Sequence, residues 1–130
     1  MDEWAPWEHR ATWPSDVRHV ATARDFVGEQ LVRHRLDHEV DILRLVVSEL
    51  VTNAVLHARS PFVVTVGRVD HTLMLAVWDE SVVLPPEPLR PSTRRQRGRG
   101  LTIVEHLSSE WGVTHEHGGK TVWARFALDA

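Results

Sequence analysis

The 130-residue sequence predicts an α+β domain. Its expected form is a two-layer α/β sandwich, with a mixed, mainly antiparallel sheet covered on one face by three helices. Three observations carry this. Two long segments, 16–35 and 38–57, place apolar residues at helical spacing. Several shorter segments alternate apolar and polar residues, as half-buried strands do. The order strand, helix, helix, strand, strand, loop, helix, strand, strand sets two helices between the first strand and the first hairpin, which breaks a regular βαβ alternation.

The elements follow in order. A short edge strand is expected around Arg10–Trp13, before Pro14. Ser15 is a candidate N-cap for a helix over 16–35, whose apolar side is Val17, Val20, Ala21, Ala23, Phe26, Val27, Leu31 and Val32. The second helix, 38–57, turns Val40, Leu43, Val47, Leu50, Val51 and Ala54 inward and stops at Arg59-Ser60-Pro61. Residues 62–68 and 73–78 read as two strands around a turn at 69–72, with Asp79 at the second strand's end. Residues 81–97 are a loop. A third helix opens at Gly98-Arg99-Gly100-Leu101 and runs to about Glu110, with Leu101, Val104 and Leu107 inward. A closing hairpin joins 111–115 to 121–128 through a turn at His117-Gly118-Gly119-Lys120.

Composition narrows the function classes. The length suits a single domain over 1–130, large enough to bury its own core. No cysteine is present, which excludes disulfides, thiolate metal sites and a cysteine nucleophile. No run approaches the roughly 18 apolar residues of a membrane span, and the acidic start Met1-Asp2-Glu3-Trp4 does not resemble a signal peptide. A cytoplasmic protein without a membrane partner is the expectation. The formal charge of −3 conceals an uneven distribution: five arginines and no acid lie between Arg90 and Arg99, leaving −8 elsewhere. Four of the seven prolines, Pro85, Pro86, Pro88 and Pro91, fall within or just before this run, so the region is both basic and unsuited to regular structure. The basic run is short and the whole chain acidic, so a nucleic-acid partner is not expected.

Three groups of residues invite chemistry. Glu49, Asn53 and His57 are spaced i, i+4, i+8 and so share one stripe of a mostly apolar helix. The stripe reads either as a solvated polar face or as a site. In a site, the Asn oxygen suits a hard cation and the Glu a general base, while His57 also suits a helix C-terminus. Asp79 at a strand end is either a turn former or a ligand-facing acid. Gly98-Arg99-Gly100 before a helix is either an ordinary helix start or a phosphate-binding approach. Nine histidines raise the question of a metal site, but His34/His38 and His115/His117 each lack a third ligand.

In order and spacing, Glu49-Leu50-Val51-Thr52-Asn53-Ala54-Val55-Leu56-His57-Ala58, Val77-Trp78-Asp79, Gly98-Arg99-Gly100-Leu101 and Gly119-Lys120-Thr121-Val122-Trp123 closely resemble the GHKL ATPase superfamily of gyrase, heat-shock chaperone, histidine kinase and mismatch-repair ATPase domains. Within it the chain is similar to the small stand-alone anti-sigma factor serine/threonine kinases of actinobacteria, over residues 15–128. The resemblance implies the Bergerat form of the two-layer sandwich, with ATP and Mg2+ as ligands. It assigns Asn53 to magnesium and Glu49 to polarising the attacking nucleophile. Asp79 would read the adenine amino group. Gly98 and Gly100 would lie beside the phosphates, with Arg99 and Leu101 in the same box, and Thr121 near the base. His57 would lie near the nucleotide, and residues 80–97 would form an ATP lid. The implied activity is serine phosphorylation of an anti-sigma factor antagonist together with sequestration of a sigma factor; homodimers are common among such kinases. The family's D-x-G-x-G box here reads Asp79-Glu80-Ser81-Val82-Val83, with neither glycine. That departure keeps open a non-catalytic module that sequesters a partner. The first helix and the N-terminal tryptophans are candidate partner surfaces, since aromatics anchor interfaces, whereas Trp78, Trp111 and Trp123 suit the core.

Overall fold

The computed structural model describes residues 5–81 and 99–128, with the main chain alone at 99 and 100. In chain order the elements are β1 (Trp7–Trp13), α1 (His19–Arg33), α2 (Val40–His57), β2 (Phe62–Val69), β3 (Thr72–Asp79), α3 (Arg99–Leu107), β4 (Glu110–Glu116) and β5 (Gly119–Ala127). A single 3-10 turn, Asp37–Glu39, leads into α2. The strands form one sheet in the order β1-β2-β3-β5-β4, and all four pairings are antiparallel. Among the described residues no helix is long and apolar enough to cross a membrane.

Period-two alternation decides which residues enter the core. Phe62, Val64 and Val66 of β2, Leu73, Leu75 and Val77 of β3, and Val122, Ala124 and Phe126 of β5 are buried on the inner face. The helices cover that face with Ala23, Val27 and Leu31 of α1, Leu43, Val46, Val47, Leu50, Val51 and Ala54 of α2, and Leu101 and Val104 of α3. The other sheet face carries Val63, Thr65, Met74, Ala76, Trp78, Thr121, Trp123 and Arg125 around an open trough of about 600 Å³.

Local chemistry shifts several expected boundaries. β1 begins three residues before the expected Arg10, because Trp7, His9, Ala11 and Trp13 alternate with exposed Glu8, Arg10 and Thr12. Ser15 does not cap α1: its hydroxyl lies 3.5 Å from the Val55 carbonyl oxygen. Asp16 organises the approach to the helix instead. Its carboxylate accepts the Arg18 main-chain N–H at 2.8 Å and also holds the Arg18 guanidinium, which keeps the Asp16 pKa down at about 2. Helical structure therefore starts at His19, and Val17, outside the helix, is 71% exposed. α3 stops at Leu107 rather than near Glu110. The Ser109 N–H and hydroxyl both donate to the Arg125 carbonyl oxygen, and the hydroxyl oxygen accepts the Ala127 N–H, so Ser109 ties the chain to β5.

Candidate functional site

Several of the candidate residues gather at one end of the sheet. Phe62 at the start of β2 pairs with Asp79 at the end of β3, and Asp79 pairs with Lys120 near the start of β5. Only residues 58–61 separate α2 from β2, so the last turn of α2 is held at this same end. The Glu80 N–H donates to the Ser60 hydroxyl at 3.0 Å, linking the exit of β3 to that short connection.

Asp79 is the buried polar group of this end, only 1% exposed. Its place in β3 aims the carboxylate to the helical side, in step with Leu73, Leu75 and Val77. Burial of a lone carboxylate is costly, so its partners matter. One oxygen accepts the Ser81 N–H at 2.8 Å, and the other lies 3.9 Å from Lys120 Nζ. Each oxygen has two lone pairs, which leaves acceptor capacity for a ligand. Gly119 makes this closeness possible. A Cβ at Gly119 would collide with the Asp79 main-chain oxygen.

α2 supplies the second part. Glu49 and Asn53 are half-buried and His57 is exposed. They follow one another by single turns, about 6 Å of rise each, along the border of the buried stripe of α2. Exposed Ile42, Leu45 and Leu56 lie on the same flank. α2 packs against both β3 and α3. A half-buried carboxylate and amide at such a border can both face a ligand: the amide oxygen can hold a hard cation and the carboxylate can accept a proton.

α3 supplies the third part. Arg99 and Gly100 open the helix, where free main-chain N–H groups favour an anion. The Leu101 side chain is 2% exposed and belongs to the core, so only its main chain is available to a ligand. Gly98 and all but Glu80 and Ser81 of the expected lid, 80–97, lie outside the described residues.

The structure does not bring Thr121 to this site. Thr121 is on the outer face, where its hydroxyl donates to Glu116 at 3.2 Å. Strand parity is the reason: Val122, Ala124 and Phe126 face the helices, so position 120 does as well and position 121 cannot. Lys120 was expected in the turn. The turn is narrower, His117-Gly118 with φ of 53° and 74°, and Lys120 already belongs to β5. The apolar alternation 122, 124, 126, 128 was the signal in the sequence that could have placed Lys120 beside Asp79.

Other candidates separate from the site. Of the tryptophans expected in the core, Trp111 is buried, but Trp78 and Trp123 lie on the outer face. Trp7 and Trp13 pack β1 onto the helical layer: Trp7 stacks on His34 at 3.8 Å, and Trp13 meets Phe26 and Phe62. Trp4 lies outside the described residues. His34 pairs with His9, Nε2 to Nε2 at 2.9 Å, and His38 lies 3.5 Å from Glu39. Among the described residues no group of three or more His, Asp or Glu stands together as a metal site.

Comparison with known proteins agrees with this fold. The family model described as the histidine kinase-like ATPase domain matches residues 13–126. The chain is 30% identical over 113 residues to the signal transduction histidine-protein kinase AfsQ2 of Streptomyces coelicolor, covering 81% of this chain and 20% of that protein. Its fold is similar to the crystal structure of the RsbU and RsbW domains of Rv1364c from Mycobacterium tuberculosis, with a TM-score of 0.70 and 22% identity over 94% of this chain and 32% of that one. The chain thus spans a fifth of the curated relative's length and a third of the solved chain's.

Proposed function

Because the chain belongs to the histidine kinase-like ATPase family, whose members are ATP-binding and kinase-like, we propose that it is a regulatory serine/threonine protein kinase. It would bind ATP with Mg2+, phosphorylate a serine on an anti-sigma factor antagonist and sequester a sigma factor. The observation that carries this reading is the buried Asp79 carboxylate at a strand end, held at the same end of the sheet as the last turn of α2. In this reading Asp79 accepts a hydrogen bond from the base. The phosphates would extend toward the first turn of α3, at Arg99 and Gly100, and toward His57; Gly98, next to Arg99 in the sequence, would join them.

The donor set suits the ligands. Asn53 offers one neutral amide oxygen, which fits a magnesium ion that takes its remaining ligands from phosphate and water. When bound, the ion offsets charge on the phosphates. Glu49, one turn from Asn53, accepts the proton of the incoming serine hydroxyl as its oxygen bonds to the γ-phosphorus. The bond from that phosphorus to the β,γ-bridging oxygen breaks, and ADP leaves. Phosphoryl transfer rewards positioning and charge above covalent chemistry, and a half-buried carboxylate on a rigid helix provides both.

The test is transfer of label from γ-labelled ATP to a candidate antagonist by wild type and Glu49→Gln. Loss of a positioned general base is expected to slow transfer by about 10²–10⁴-fold with ATP affinity retained. Equal labelling by both proteins removes Glu49 from the mechanism. One observation favours the alternative, a nucleotide-binding or partner-sequestering module without kinase activity. Ser81 replaces a glycine of the family box, and its N–H is already engaged by Asp79. ATP binding without any transfer by wild type would select that reading.

A further inference from the structure

Strand parity brings Lys120 to the candidate site, and the proposed phosphoryl transfer gives it no task. It sits opposite Asp79 in the β3–β5 ladder, on the helical side of the sheet, with a side chain only 14% exposed and its ammonium 3.9 Å from the Asp79 carboxylate. That separation is wider than a hydrogen bond, so the two groups share charge without spending a donor or an acceptor on each other. The carboxylate offers acceptors only, and the ammonium donors only. Their order is fixed. Asp79 belongs to β3 and is anchored by the Ser81 N–H, Lys120 belongs to β5, and neither can take the other's place unless the ladder slips.

We propose that Lys120 donates a hydrogen bond to adenine N1 while Asp79 accepts one from N6, so that the pair selects adenine against 6-oxopurines. The inference rests on the reading of Asp79 as the base-facing group. The adenine edge sets a donor, N6–H, beside an acceptor, N1, and a carboxylate beside an ammonium matches it in that order. Guanine and hypoxanthine reverse the edge: O6 accepts and N1–H donates. In the same pose O6 meets the carboxylate, acceptor against acceptor, and N1–H meets the ammonium, donor against donor. A carboxylate alone imposes the first mismatch and leaves position 1 unread; Lys120 adds the second. Leaving buried polar groups mismatched is what makes such sites selective. Thr121 cannot supply this donor, since it lies on the other face.

The experiment is a calorimetric titration of the full chain with the magnesium salts of ATP, 1-deaza-ATP and ITP, for wild type and Lys120→Met. In 1-deaza-ATP a C–H replaces N1 and the N6 amino group stays, so only the bond from Lys120 is lost. Ratios of affinities are compared within each protein, so a general loss of attraction for triphosphate cancels. Wild type should prefer ATP to 1-deaza-ATP by about 10–100-fold and should bind ITP more weakly still. In Lys120→Met, ATP and 1-deaza-ATP should bind within about threefold of each other, and the gap between ATP and ITP should narrow by at least about tenfold. Wild type that binds ATP and 1-deaza-ATP equally overturns the proposal and leaves the ATP reading standing. So does a preference for ATP that Lys120→Met leaves unchanged. Absence of binding to any of the three nucleotides overturns the ATP reading, and the proposal with it. Should Lys120→Met fail to fold, Lys120→Thr takes its place. Its β-branched side chain suits a strand, and its hydroxyl is too short to reach where the ammonium does, so the same ratios are expected and the same unchanged preference overturns the proposal.

Discussion

The two faces of the sheet share strands and register but not their chemistry. The inner face is aliphatic in its middle, from Phe62 to Phe126, and carries charge only at its ends. One end holds Asp79 and Lys120; toward the other stand Arg68, 7% exposed, and the His9–His34 pair beside Trp7. The outer face mixes Met74, Ala76 and two tryptophans with Thr65, Thr114, Glu8, Arg10 and Arg125, and remains open. There Trp123 lies under the Arg125 guanidinium at 4.7 Å, and the Trp78 indole N–H donates to the Glu116 carbonyl oxygen. Apolar side chains do not by themselves make a core; coverage by helices does. Adjacent residues of one strand therefore have unrelated duties, as Lys120 and Thr121 illustrate.

The contrast has a direct thermodynamic test. Phe62→Ala empties a fully buried position and should cost about 3–5 kcal/mol. Met74→Ala, on the neighbouring strand but on the open face, should cost less than about 1 kcal/mol, because the site is already half in water. Urea denaturation of both variants checks the pair, and similar losses would mean that the outer face is covered in solution. A smaller effect is expected where β3 and β5 approach most closely. Gly119→Ala should cost about 1–3 kcal/mol, since backbone must move to admit the methyl group. It should also weaken ATP binding by displacing Asp79 and Lys120, which thermal unfolding with and without ATP would register.

The smallest effect concerns the polar corner far from Asp79. Burial, then His9, Arg33 and Arg68, lower the His34 pKa from its ordinary 6.5. The folded protein thus binds a proton there less readily than the unfolded chain does. Its stabilising effect is complete above pH 6.5 and declines as the pH falls below that value through the lowered pKa. Wild type should lose stability relative to His34→Gln between pH 7.5 and about 5. Parallel pH profiles for the two proteins would remove His34 from this role.

Much of the fold was legible in the sequence, because α2, β2 and β3 state their period plainly: the 43, 47, 50, 54 series of the helix and the 62–66 and 73–77 alternations. The antiparallel two-layer architecture and its three helices follow from that reading. The ends were harder, since they depend on side chains meeting main chain across the fold. Asp16 delays α1, and Ser109 ends the run after α3 by bonding to Arg125, a contact no local pattern announces. In the candidate site, Glu49 and Asn53 stood out by their i, i+4 spacing and Asp79 by its place at a strand end, but which of Lys120 and Thr121 turns toward Asp79 depended on where the turn ends. The pairing of His9 with His34, 25 residues apart, had no local signal either.

The hairpin turn at His117-Gly118 has a role larger than reversing the chain. With two residues at positive φ, it sets the phase in which β5 departs. Were the turn one residue longer, with the rest of β5 keeping its register on β3, nothing beside Asp79 would change. Were β5 itself advanced by one residue, a hydroxyl would replace the ammonium beside Asp79, and every aliphatic residue of the strand would rotate out of the core. The core thus acts as the lock on the Asp79–Lys120 pair: the hydrophobic residues farther along β5 forbid the slip that would set a hydroxyl in place of the ammonium.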